Sequence, residues 1–229
     1  MADIEAVQDL ATECLAEVEG LYEDALHAKS VPTRLQALIK NVLENERSAL
    51  EYLALAIVDA HGTTIGNVYY PLSPSAARFE GSIDSRMPGV RAGRPDIAAE
   101  VSKHQPYSHI WLADLRDLTN ENKHERLTPQ TRDETRWIDT NPGGAGISFM
   151  PFQPGKGGVS FGGTVIINGV EVDPNTLKPV GGGPQPHRET IYVDWLFATT
   201  GRSVLQTLKA IDAGVAKAVD EIAKVAGFR

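Results

Sequence analysis

The chain has 229 residues, a formal net charge of −8 and one cysteine, Cys14. That length suffices for one large domain or a domain with an inserted module, and a lone cysteine excludes an internal disulfide framework and fits a reducing compartment. No run approaches the roughly 20 apolar residues of a membrane helix, and the start from Met1 to Glu5 lacks a basic secretory region, so a soluble cytoplasmic protein with no membrane contact is expected.

In the first segment, Ile4, Val7, Leu10, Ala11, Cys14, Leu15, Val18, Leu21, Tyr22 and Ala25 recur at steps of three and four residues. This spacing predicts a long amphipathic helix with a narrow, coiled-coil-like seam, on which Cys14 is a small core residue. Residues 1–28 also hold Asp3, Glu5, Asp9, Glu13, Glu17, Glu19, Glu23 and Asp24 with no Lys or Arg, so they carry the whole −8, and the other 22 acids balance the 22 bases. A chain-wide basic footprint for nucleic acid is therefore absent; any contact with RNA has to be local and away from the first helix.

Ser30 to Thr33 supply a turn and a helix start, with Pro32 tolerated in a first turn. Leu35, Leu38, Ile39, Val42, Ala49, Leu53, Ala56, Ile57 and Ala60 continue the spacing to Gly62, which suits a C-terminal cap, so the first 62 residues predict an antiparallel helical hairpin. From Thr63 to Pro95 the periodicity disappears among Pro71, Pro74, Pro88 and Pro95, and a long irregular loop that wraps a surface or carries a function is expected. A short helix over Asp96 to Lys103 and a longer one from Ile110 to His124, capped by Ser108, follow.

Beyond Pro129 the pattern changes to strands over Gly146 to Phe152, Gly158 to Ile167, Val170 to Val172 and Glu189 to Phe197, with Asn168-Gly169 as a two-residue hairpin turn. A last helix from near Arg202 carries Val204, Leu208, Ile211, Val215, Val219, Ile222 and Val225. The fold class is thus α+β, mainly α: a helical hairpin and a C-terminal helix form a bundle with a small inserted antiparallel sheet. The expected organisation is a single domain, 1–229, with a helical part over 1–129 containing the loop 63–95, a strand-rich insertion over 130–198, and the returning helix over 199–229.

Within the helix Ile110 to His124, a turn of about 100° per residue sets Arg116, Asn120 and His124 along one face and Leu112, Leu115 and Leu118 along the apolar side. Such a stack of cation, amide and imidazole either holds a buried polar network or forms a site. Tyr107 and Trp111 suit a core better than a base-stacking platform, and Asn122, Lys123 and His124 also suit a helix C-terminus. Asp114, Asp117 and Glu121 read as a solvated face. His104 and His109 have no Cys or acid partner at ligand spacing, so neither a metal site nor a cofactor is expected. Gly155-Lys156-Gly157-Gly158 lacks the flanking residues of a phosphate-binding loop and reads as a turn.

Gln105-Pro106-Tyr107, then Trp111-Leu112, then Asn122-Lys123-His124 with Leu127, resembles a pattern in a group of uncharacterised bacterial helical proteins. That group is similar to the HEPN superfamily, helical homodimers that include RNA-cleaving toxins and phage-defence effectors, in which an Arg, a polar residue and a His on one helix meet their copies across the dimer seam. The resemblance implies Arg116, with Asp117 behind it, and His124 as catalytic residues, with Asn120, Asn122, Lys123 and Tyr107 as binding residues. In that role His124 would move a proton near neutral pH and Arg116 would hold the scissile phosphate while the ribose 2′-hydroxyl attacks it, with no metal required. Two functions fit these residues. One is a non-enzymatic HEPN-like homodimer that binds a partner protein or ligand through the loop 63–95 or the sheet. The alternative is a metal-independent endoribonuclease or RNA-binding effector of a toxin–antitoxin or phage-defence system. A homodimer or higher oligomer is expected in both, because the narrow seams offer more apolar stripe than one bundle covers.

Overall fold

The structure, a computed structural model, describes residues 1–26, 31–63, 67–124, 130–141, 146–153 and 156–228, and for residues 121–124 the backbone alone. The chain divides into a helical unit, residues 1–131 with 195–229, and a sheet unit, residues 132–194.

Three long amphipathic helices build the helical unit. α1 (Ala2–Leu26) and α2 (Thr33–His61) form the hairpin that the seam predicts, burying Ile4, Ala11, Leu15, Val18 and Tyr22 on one side and Leu35, Ile39, Val42, Leu50, Leu53 and Ile57 on the other. They run antiparallel: Met1 and Ile4 line one pocket with Tyr52, Ala56 and Asp59 from the end of α2. The turn residue Ser30 lies outside the described residues. A later helix, Val204–Ala226, returns to both and buries Val204, Leu208, Ile211, Val215, Val219 and Ile222. Each large apolar side chain so buried contributes about 1.5–3 kcal/mol, and this packing holds helices that would be marginal alone.

Between the hairpin and the sheet lie α3 (Ala76–Arg86), α4 (Val90–Gly93), α5 (Pro95–Lys103) and α6 (Ile110–His124); the returning helix is α7. The stretch from Thr63 to Pro95 is therefore not one irregular loop. Phe79, Ile83, Met87 and Val90 are spaced for one helical face and all are buried, but the stripe is short and broken by Pro88 and Gly89, so it does not stand out in the sequence. Gly62 ends α2 with φ −87°, so glycine is needed for space rather than handedness: a Cβ would lie 2.6 Å from the Val58 carbonyl oxygen and 2.9 Å from that of Pro88. On α7, a Cβ at Gly214 would overlap the Trp111 ring, and only glycine allows the indole to lie so close. Arg94 Nη2 donates to the Val225 carbonyl at 2.7 Å, and His61 Nε2 lies 3.0 Å from that of Ala226, so two side chains cover the last turn of α7.

The strands are β1 (Gln130–Asp139), β2 (Ser148–Phe149), β3 (Val165–Ile167), β4 (Val170–Val172) and β5 (Arg188–Phe197). The order β2-β1-β5 makes a three-stranded antiparallel sheet with Ile138 opposite Phe149, and β3 with β4 forms a separate hairpin. Asn168 (φ 50°) and Gly169 (φ 79°) are both left-handed, as a two-residue turn matched to strand twist requires. β1 is absent from the sequence expectations because Gln-Thr-Arg-Asp-Glu-Thr-Arg has no apolar alternation; only Ile138 in it is fully buried. The longer strands expected over Gly146 to Phe152 and Gly158 to Ile167 reduce to β2, β3 and isolated bridges such as Pro151 with Val159. Among the described residues no helix is long and apolar enough to cross a membrane.

Candidate functional site

α6 follows the expected register: Leu112, Leu115 and Leu118 are fully buried, and the face beside them carries Arg116 and Asn120. These two residues line an open cleft of about 420 Å³ together with Arg47 from α2, Tyr69, Tyr70, Pro71 and Leu72 from the segment after α2, and Ser82 and Arg86 from α3. Three guanidiniums thus converge from three helices, and no residue of the acidic α1 is among those lining it.

Each arginine is positioned differently. Arg47 Nε donates to Glu51 Oε1 at 2.5 Å one helical turn on, and Glu51 Oε2 accepts the Tyr70 backbone N–H at 2.5 Å, so one carboxylate ties the cleft floor to α2. Arg116 Nε donates to Asp117 Oδ1 at 2.7 Å. Arg86 lies over the Tyr69 ring, its Cζ 5.4 Å from the centroid, and forms no ion pair among the described residues. Glu51 and Asp117 partly offset Arg47 and Arg116 but occupy only part of their donors. Each guanidinium presents five N–H bonds, and among the described residues Arg47 Nη1, both Nη groups of Arg116 and the Arg86 guanidinium are left for a further acceptor. Tyr69 is exposed and offers an aromatic face, whereas Tyr70 is fully buried with its hydroxyl donating to the His104 carbonyl at 3.0 Å; burial holds that phenol protonated.

The Gln-Pro-Tyr motif is structural in its described contacts. Gln105, fully buried, accepts from the Ser73 N–H and donates to the Val101 carbonyl, both at 3.0 Å, which fixes the segment carrying Tyr69 and Tyr70 onto the end of α5. Tyr107 donates to the Ser102 carbonyl at 3.0 Å and does not line the cleft with Arg116 and Asn120. The side chains of Asn122, Lys123 and His124, and that of Glu121, lie outside the described residues, as does Leu127. Asp114 is not part of a solvated face: it is 5 % exposed and accepts from Arg202 Nη1 at 2.9 Å, with burial raising its pKa and Arg202 opposing the shift. The helical period alone misplaces it because the start of α7 folds over that side of α6. Cys14 is half-buried against the core, and burial, then Glu17 and Glu13, raise its thiol pKa, so it stays protonated.

A second polar cluster lies at the end of α5. His104 Nε2 is 3.1 Å from Glu221 Oε2 of α7 and 3.6 Å from Glu100 Oε1, one helical turn earlier, so the expectation that His104 has no acid partner is corrected: Glu100 stands at helical spacing and Glu221 is brought in by α7. Burial lowers the His104 pKa against the pull of both carboxylates, which favours the neutral ring. Arg47, Arg86 and Tyr69 were also missed by the sequence reading. The one signal for Arg47 is its place inside an apolar seam, between Val42, Leu43, Ala49 and Leu50.

Comparison with protein-family models, with curated proteins and with solved structures finds no match to this chain.

Proposed function

We propose that the chain is a helical, HEPN-like binding protein whose arginine cleft takes the phosphate groups of single-stranded RNA. The observation that carries this reading is the convergence of Arg47, Arg86 and Arg116 on one cleft with unused guanidinium donors, beside the exposed Tyr69 ring and the Asn120 amide. Guanidinium forks suit phosphate oxygens, and an exposed aromatic face suits an unstacked base, the pairing used where single strands are bound. A volume of about 420 Å³ falls within the roughly 300–1,000 Å³ of small-ligand sites, the scale of one splayed nucleotide rather than a duplex. With the net charge of −8 confined to residues 1–28, attraction is local to the cleft. The homodimer belongs to the same proposal: Leu10 of α1 and Tyr52 and Leu55 of α2 remain exposed on the hairpin.

Binding is the activity that the three guanidiniums and the exposed Tyr69 ring support. Calorimetric titration with a short single-stranded RNA, a nucleoside monophosphate and the free nucleoside tests the reading. The RNA and the monophosphate are expected to bind, the nucleoside not, and Arg116→Gln to weaken both. Equal binding by Arg116→Gln and the parent, or none by either, overturns it. Cleavage of the RNA in EDTA that is lost in His124→Ala would turn the binding protein into a nuclease.

A further inference from the structure

We infer that Glu100, His104 and Glu221 form a binding site for a divalent first-row metal ion of the zinc type, independent of the arginine cleft. His104 caps the end of α5 and is 5 % exposed, yet its Nε2 is buried without a hydrogen bond: the two carboxylate oxygens near it lack the alignment of one. A buried ring nitrogen without a well-formed hydrogen bond is destabilising unless something fills its coordination. What faces it is a pair of oxygens, and one donor atom from each of the three residues lies within 4.8 Å of the others.

The spacing fits coordination. With Zn–N and Zn–O bonds of about 2.0–2.2 Å, tetrahedral ligand atoms stand about 3.4 Å apart. The Nε2 separations of 3.1 and 3.6 Å bracket that value. Each carboxylate turns one oxygen to His104 and the other to a lysine: Glu100 Oε2 accepts from Lys103 Nζ at 2.6 Å, and Glu221 Oε1 lies 3.9 Å from Lys217 Nζ. Glu100 is thereby set for one-oxygen ligation, with Lys103 holding its other oxygen from outside, as outer-shell partners do. His109, stacked on His104 with centroids 5.7 Å apart, restrains the ring plane. Three protein donors leave a fourth position for water. Because Glu100 and His104 come from α5 and Glu221 from α7, a bound ion would cross-link the two helices.

The test is titration of EDTA-treated, full-length protein with Zn²⁺, read by calorimetry and by thermal melting, with bound Co²⁺ followed by its visible absorption. One equivalent of Zn²⁺ is expected to bind and raise the melting temperature. Glu221→Gln, a half-exposed position where folding is not at stake, and His104→Gln are each expected to weaken binding by at least about 10-fold, the loss that even an outer-shell change brings. Absence of stoichiometric binding overturns the inference. So does binding of the same strength in Glu221→Gln, which would assign the metal to surface carboxylates elsewhere.

Discussion

The helical unit buries a continuous apolar core drawn from all seven helices together with Trp195 and Phe197, whereas the sheet unit's own core is Ile138, Ile167, Val172 and Leu177 with Phe149, Phe161 and Val165 beside it. The sheet unit also leaves Ile147, Phe152, Val159, Ile166, Ile191 and Tyr192 exposed. A small core buries too little surface to oppose chain entropy by a wide margin, so the sheet unit relies on turns, such as Asn168-Gly169, and on short-range hydrogen bonds. The helical unit has stability to spare for polar groups inside it: Glu46, Asp114, His104 and Gln105 are all buried there, and both candidate sites are assembled from it.

The largest effect is expected from the helical core. Leu53→Ala, at a fully buried position of α2, should lose about 2–5 kcal/mol in denaturant unfolding followed by helical circular dichroism. Ile138→Ala should leave that helical transition in place and alter only the fluorescence of Trp137 beside it. A common shift of both signals in both variants would erase the distinction between the units.

Glu46 gives the next effect, and it depends on pH. Burial, followed by the hydrogen bond and charge of Asp212, pushes its pKa from an ordinary 4.5 up to about 10. The folded protein therefore keeps a proton that the unfolded chain releases above about 4.5. The stability this group contributes is complete below that pH and is lost as pH rises towards 10, by at most about 1.4 kcal/mol per pH unit. Glu46→Gln, which keeps the shape without the charge, should be more stable than the parent at mildly alkaline pH and should flatten the profile between those limits. Unfolding curves across that range measure it, and an unchanged slope would contradict it.

Gly214→Ala should lose about 1–3 kcal/mol by forcing the Trp111 ring out of place, seen as a lower melting temperature and a changed tryptophan spectrum. Smallest of all should be the effect on the helices of replacing residues 143–186 with a short Gly/Ser linker. Melting of the helices in that variant would make the sheet unit a structural requirement for them.

The same contrast explains what could be read from the sequence. α1, α2, α6 and α7 follow from apolar spacing because a helix that packs on a core repeats its stripe over many turns, and Asn168-Gly169 marks its hairpin because few residues tolerate two left-handed positions. β1 could not be read: its strand is defined by pairing to β2 and β5, not by its own charged residues. In the cleft, the helical period sets Arg116 and Asn120 on one face, but Arg47, Tyr69 and Arg86 are brought in by tertiary packing across long stretches of chain. Glu100 and His104 do stand one turn apart in the sequence, yet Glu221 comes from the far end of the chain, and without it the pair reads as an ordinary helix end.

The most direct test of the cleft is the salt dependence of single-stranded RNA binding by the parent, Arg86→Gln and Arg78→Gln. Arg86 is the cleft arginine with no carboxylate partner among the described residues, and Arg78 is an exposed arginine of the same helix that does not line the cleft. Arg86→Gln should weaken binding and lower the slope of log affinity against log salt by about 1, while Arg78→Gln changes neither. Identical affinity and slope for Arg86→Gln and the parent would contradict a phosphate site in this cleft.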